Sequence, residues 1–218
     1  MIWGEQVHWD HIGLPADFTR SVFVVGHGSM ALLGGPSTGH LGSHSFFEAD
    51  LLPAGRSAEL ADPEDSGGGT MSNTEPATGT IDLSRPWLPH PSHPSLLPQT
   101  LDLFGDGSVY VVNAPGHLQG HVNLLVSPSM GPSPSADRPQ QIYLAGDALH
   151  DVRLLTNEKS IGTWINEQGR ECCIHVDREK AAETIGRIRA LKEEVGMEVV
   201  FAHDGAWERE NEGRFLGA

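Results

Sequence analysis

The run Val7-His8-Trp9-Asp10-His11-Ile12-Gly13 puts three metal-capable side chains within four residues, and Gly13 lets the backbone turn away behind them. Three later stretches carry the same residue types: Pro115-Gly116-His117-Leu118-Gln119-Gly120-His121, Leu144-Ala145-Gly146-Asp147 and Phe201-Ala202-His203-Asp204. Imidazole nitrogen and carboxylate oxygen are donors that zinc prefers, in roughly tetrahedral sets that keep one position open where the ion does chemistry. A lone His-x-Asp-His arises by chance. Four such stretches at the ends of strands are a specific signal, because an ion site needs ligands delivered from several elements at once.

The elements that would deliver them are legible. Residues 21–25, 108–113, 122–126, 142–145 and 199–202 are β-branched or aromatic runs bounded by turn residues, and read as strands. The third last of these leads away from His121, the next ends on Gly146-Asp147, and the last ends on His203. Residues 101–104 and the strand at 108–113 flank Gly105-Asp106-Gly107, a good hairpin turn. Residues 177–195 read as a helix. Asp177 is a suitable N-cap, Gly196 a suitable C-terminal stop, and Ala181, Ile185, Ile188, Leu191 and Val195 recur at helical spacing. Strands with interspersed helices place the chain in the α/β class.

The chain has 218 residues, which fits one domain over 1–218. Its 26 Gly and 15 Pro foretell long irregular connections. The segment 53–99 carries Gly67-Gly68-Gly69 and five prolines from Pro86 to Pro98, and reads as a flexible insertion. His90 and His93 lie in it, either as exposed loop histidines or as a second metal site. The net charge of −15 argues against phosphate-bearing partners, so neither nucleic acid nor an anionic membrane surface is expected. Cys172 and Cys173 are adjacent, which makes them poor partners for each other and reads as two packed thiols. With no basic-then-apolar leader pattern, they point to a cytoplasmic setting.

The four stretches together resemble the metallo-β-lactamase superfamily of metal-dependent hydrolases, and within it the lactonase-like branch that includes the N-acyl homoserine lactonases. The resemblance implies an αββα sandwich. It assigns Gln6, His8 and His117 to a first metal, Asp10, His11 and His203 to a second, and Asp147 to both. Alternate residues of an extended loop point the same way, which would explain the two-residue spacing of positions 6, 8 and 10. The family has histidine where this chain has Gln6, and glutamine is a poor zinc ligand beside imidazole. One tightly held Zn2+ at the second site is therefore expected, with a weakened first site. The family also has strands ahead of the motif, so a sheet edge open to self-association is expected here.

The activity this implies is hydrolysis of a small lactone or related ester by metal-activated hydroxide. Asp10 would shuttle a proton to the leaving group. His150, three residues after Asp147, stands where the homoserine lactonases place a tyrosine on the substrate carbonyl, and is the other catalytic candidate. His121 reads as structural. Two alternatives stay open: a glyoxalase II-type thioesterase, and a catalytically silent member of the family.

Overall fold

The computed structural model describes residues 1–34, 47–65, 82–127 and 141–214. Among the described residues, ten strands form three sheets. β1 (Ile2–Trp3), β2 (Phe23–Val25) and β3 (Ser57–Glu59) are all parallel, in that order. β4 (Thr100–Asp102), β5 (Val109–Asn113), β6 (Val122–Val126), β7 (Ile142–Leu144) and β10 (Glu198–Val200) form the larger sheet. It is antiparallel from β4 to β7, with β10 added parallel to β7. β8 (Thr163–Ile165) and β9 (Glu171–Cys173) make a separate hairpin.

The alternation of side chains along the strands builds the layers. Val24 of β2 meets Leu101, Val111 and Val122 of the larger sheet in one buried cluster, so the two sheets pack face to face. Phe23 and Val25, its neighbours on the strand, point the other way, onto Ile12 of α1 (Trp9–Ile12) and Leu33 of α2 (Ser29–Gly34). On the far face of the larger sheet, Val112, Leu125 and Tyr143 pack against Ile185, Ile188 and Leu191. A period of two along each strand is what assigns successive residues to opposite faces.

α3 (Arg178–Ala190) supplies that outer layer. Asp177 caps it, accepting from Lys180 N, and a further π-wound turn, Leu191–Val195, runs to Gly196 at φ 77°. The π turn advances each residue by less than an α turn, which rotates Val195 out of the apolar face the spacing assigned it. The β4–β5 turn is tied by Asp102, whose carboxylate accepts from Gly105 N at 2.8 Å and Gly107 N at 3.1 Å.

Two expectations need correction. Residues 8–11 are not one extended loop: His8 is extended, and Trp9–Ile12 is a single helical turn closed by His11 N donating to His8 O. The two-residue alternation thus ends at His8. The described parts of the segment 53–99 contribute to the core: they contain β3, and Leu60, Leu83 and Leu97 are buried, while Ala54, Ser84 and Leu88 stay exposed. Gln99 Nε2 donates to Pro63 O, and Trp87 Nε1 to Ala61 O, so the two described parts hold each other. The Gly67-Gly68-Gly69 run lies outside the described residues. Prolines 86–98 interrupt regular structure without preventing burial. Among the described residues no helix is long and apolar enough to cross a membrane.

Candidate metal centre

Four loops meet at one end of the sandwich. The first follows β1, where Val122 N donates to Glu5 O and fixes residues 5–8 beside β6. The second joins β5 to β6 and carries His117. Gly116, at φ 128°, lets it lie against α3, because a Cβ there would sit 2.2 Å from Ala181 N. Asp177 N and Val176 N donate to Gly116 O and His117 O, and Thr184 Oγ1 donates to Pro115 O. The third loop is the 3₁₀ turn after β7 that carries Asp147. The fourth follows β10 and carries His203, whose φ of 64° is a left-handed conformation that costs a non-glycine residue about 1 kcal/mol or more. Ala202 N donates to Gly146 O and Ala145 N to Val200 O, so the last two loops are hydrogen-bonded together.

Asp147 is the hub, and it is 3% exposed. Gln6 Nε2 donates to its Oδ2 at 2.7 Å. His11 Nε2 stands 3.1 Å and His117 Nε2 3.4 Å from the same oxygen. On Oδ1 the neighbours are His150 Nε2 at 3.2 Å and His203 Nε2 at 3.4 Å. Asp10 Oδ2 lies 3.6 Å from His11 Nε2 and 3.8 Å from His203 Nε2, and His8 Nδ1 lies 3.4 Å from His117 Nε2. The structure therefore brings together Gln6, His8, Asp10, His11, His117, Asp147, His150 and His203. His90 and His93 are elsewhere: they stack on each other, and His90 packs edge-on to Tyr110. His90 is buried rather than exposed, and burial, then the neighbouring His93, lowers its pKa.

The electrostatics follow from these contacts. Burial alone would raise the Asp147 pKa, but hydrogen bonds and charge from His11 and His150 hold it well below the usual carboxylate range. Burial would lower the His11 pKa, yet hydrogen bonds to Asp147 and to Glu5 push it up to about 10. Glu5 Oε1 is 2.5 Å from His11 Nδ1, so His11 is clamped between two carboxylates. Burial, reinforced by His121, drives the His117 pKa well below its ordinary value, leaving the neutral ring that coordination requires. His121 Nε2 accepts from Asp147 N at 3.2 Å, and its Nδ1 meets Ala114 O at 3.1 Å, so it positions the Asp147 turn.

Three groups of side chains here can each hold a metal ion: His8–His117–Asp147, Asp10–His11–His203, and Asp147–His150–His203. Ligands bonded at about 2.0–2.1 Å in a tetrahedron stand about 3.3–3.4 Å apart, so contacts of 3.2–3.4 Å around Asp147 suit such an ion. Gln6 suits it less. Its amide must present nitrogen to Asp147, since oxygen would set two acceptors against each other. Its Oε1 is buried without a hydrogen-bond partner among the described residues. The cluster floors a cavity of about 490 Å³ whose wall includes Val7, Trp9, Phe47, Leu51 and Ile174.

Glu5 and His175 escaped the sequence reading. His175 is buried, with its ring 5.4 Å from that of His117 and 5.9 Å from that of His150. Glu5 precedes the motif by three residues and carried no spacing signal. His175 sits just ahead of the Asp177 cap, where only its burial would have marked it.

The fold recurs in known proteins. A quorum-quenching N-acyl homoserine lactone hydrolase superimposes with a TM-score of 0.54 at 15% identity, over 96% of this chain and 60% of that one. The chain has the metallo-β-lactamase fold. Among curated proteins, a γ-lactamase of Fusarium pseudograminearum is 40% identical over 52 residues, 24% of this chain and 11% of the relative. A metallo-hydrolase of Annulohypoxylon moriforme is 38% identical over 55 residues, 25% of this chain and 13% of the relative. The chain thus matches a small part of the curated relatives and somewhat over half of the solved structure. No family profile matches it.

Proposed function

We propose that the chain is a metal-dependent hydrolase of a small lactone or related ester. The observation that carries this reading is the convergence of four imidazoles on the buried Asp147 carboxylate at the floor of a cavity. The similarity to a lactone hydrolase and a metallo-hydrolase supports it. The ligands are drawn from His8, Asp10, His11, His117, Asp147 and His203, and the nitrogen and oxygen donors favour Zn2+. When bound, such an ion supplies Lewis acidity and activates water near neutral pH.

The chain's own residues do the rest. Asp147, 3% exposed on the cavity wall, supplies the negative charge that balances positive charge at the reacting centre. Asp10 is partly exposed and lines the cavity, so it can carry a proton to the departing alkoxide. His150 lines the same cavity above Asp147 and is the second catalytic candidate. The apolar wall of Val7, Phe47, Leu51 and Ile174 receives the hydrocarbon part of the substrate and excludes water from it.

Gln6 donating to Asp147 favours a single tightly held ion over two. The test is elemental analysis of the purified chain followed by a panel of lactones, simple esters and thioesters. Metal with lactone turnover supports the reading. Metal with thioester turnover alone transfers it to the glyoxalase II type, and a chain that takes up no ion is the silent form.

A further inference from the structure

Asp147 divides its neighbours unevenly between its two oxygens. Oδ2 accepts the Gln6 amide at 2.7 Å and faces His11 and His117 at 3.1 and 3.4 Å. Among the described residues, Oδ1 faces only His150 at 3.2 Å and His203 at 3.4 Å. The Gln6 N–H is neutral and cannot be shed as a proton, so an ion on the Oδ2 side must evict it or share its oxygen. An ion on the Oδ1 side displaces no amide. Both Oδ1 contacts match the edge of a tetrahedron with bonds of about 2.0–2.1 Å. The contacts of Asp10 with His11 and His203, at 3.6 and 3.8 Å, are longer than that edge.

The two Oδ1 imidazoles are also arranged for sharing. Their rings stack 5.7 Å apart at 12°, with both Nε2 atoms turned to the same oxygen. Asp147, His150 and His203 all line the cavity, so a fourth position on an ion held by them opens toward substrate. His203 keeps a left-handed backbone there.

We infer that His150 is a metal ligand: Asp147 Oδ1, His150 Nε2 and His203 Nε2 hold the ion, and His150 supplies the imidazole that Gln6 does not. The inference rests on the reading of this cluster as a metal centre. It moves the ion to the side of Asp147 away from Gln6. It also leaves Asp10 uncoordinated and able to carry a proton, and leaves His11 in its clamp between Glu5 and Asp147.

The test uses Co(II) alone as probe, titrated into the chelator-treated full chain and followed by d–d absorption and calorimetry. The variants are His150→Ala and His150→Gln. The second keeps the bulk and can still donate to Asp147, but offers only an amide oxygen to a metal. Thermal melts of the metal-free proteins identify a variant that has not folded. The expected result is an affinity loss of more than about 100-fold in the folded variant, beyond what losing a mere outer partner costs, with a changed d–d spectrum. Unchanged affinity and spectrum in a folded variant overturn the inference. Neither readout depends on turnover. A wild-type chain that binds Co(II) through His150 but hydrolyses no lactone, ester or thioester sinks the hydrolase reading and leaves this one standing.

Discussion

The clamp on His11 makes a prediction that needs no metal. Glu5 Oε1 is 2.5 Å from Nδ1 and Asp147 Oδ2 is 3.1 Å from Nε2, so the ring is held charged with a pKa of about 10. Its ordinary value is near 6.5, so the folded-state pKa is raised. The stability it contributes is then fully present below pH 6.5 and lost as pH rises through about 10. Glu5→Gln exchanges the carboxylate for an amide of the same size. A hydrogen bond to a charged group contributes about 1.5–3 kcal/mol, and the His11 and Glu5 side chains are only 7% and 28% exposed, so solvent screens it little. For a chain of this length, about 2 kcal/mol lowers the thermal midpoint by roughly 4–8 °C. The assay is thermal unfolding of chelator-treated wild type and Glu5→Gln across the pH range. The gap should be full near neutrality and close above about pH 10, where the wild-type ring has lost its proton. A gap that is absent near neutrality, or equally wide on both sides of the transition, would refute the clamp.

Asp147→Ala removes the carboxylate that every ligand group except Asp10–His11–His203 uses, and should abolish tight metal uptake together with any turnover, read by elemental analysis and assay on the same sample. Gln6→His puts an imidazole beside His8 and His117 on the Oδ2 side, and should raise metal content by about one ion per chain. Gly116→Ala drives a methyl group to 2.2 Å from the backbone of α3. It should cost about 1–3 kcal/mol or more in denaturant unfolding and weaken metal binding through His117. Leu97→Ala, in the segment whose prolines suggested an insertion, should cost about 2–5 kcal/mol because Leu97 is 1% exposed.

Those prolines show where the sequence was a poor guide. Regular structure is interrupted through 86–98, yet His90 N donates to Leu97 O and Leu97 N to His93 O, a tight local fold that buries Leu97. Proline content reports lost ladder bonds, not lost packing. By contrast β6, β7 and β10 were legible because β-branched and aromatic residues recur there between turn residues. β3 was not: Ser57-Ala58-Glu59 has no strand-forming residue and is a strand only because β2 lies beside it. The β8–β9 hairpin had a readable signal in Thr163-Trp164-Ile165 ahead of Gly169, which the metal motifs overshadowed.

The metal-capable side chains were legible for a different reason: a ligand must be one of a few residue types, and strand ends fix its neighbourhood. What spacing could not assign is which oxygen of Asp147 each imidazole faces. That depends on side-chain rotamers and on Gln6, whose neutral amide fills the place of an ion on one side only. A buried carboxylate needs a positive or hydrogen-bonding partner to be tolerated at all. Here the partners are internal: the charged His11 ring and the Gln6 N–H on Oδ2. Glu5 in turn holds the His11 proton in place. The Oδ2 side of the site is thus balanced within the chain. The Oδ1 side, bordered by His150 and His203 and open to the cavity, is where an added cation would meet the least competition. On this view Gln6 relocates the site's metal chemistry across Asp147 and does not abolish it.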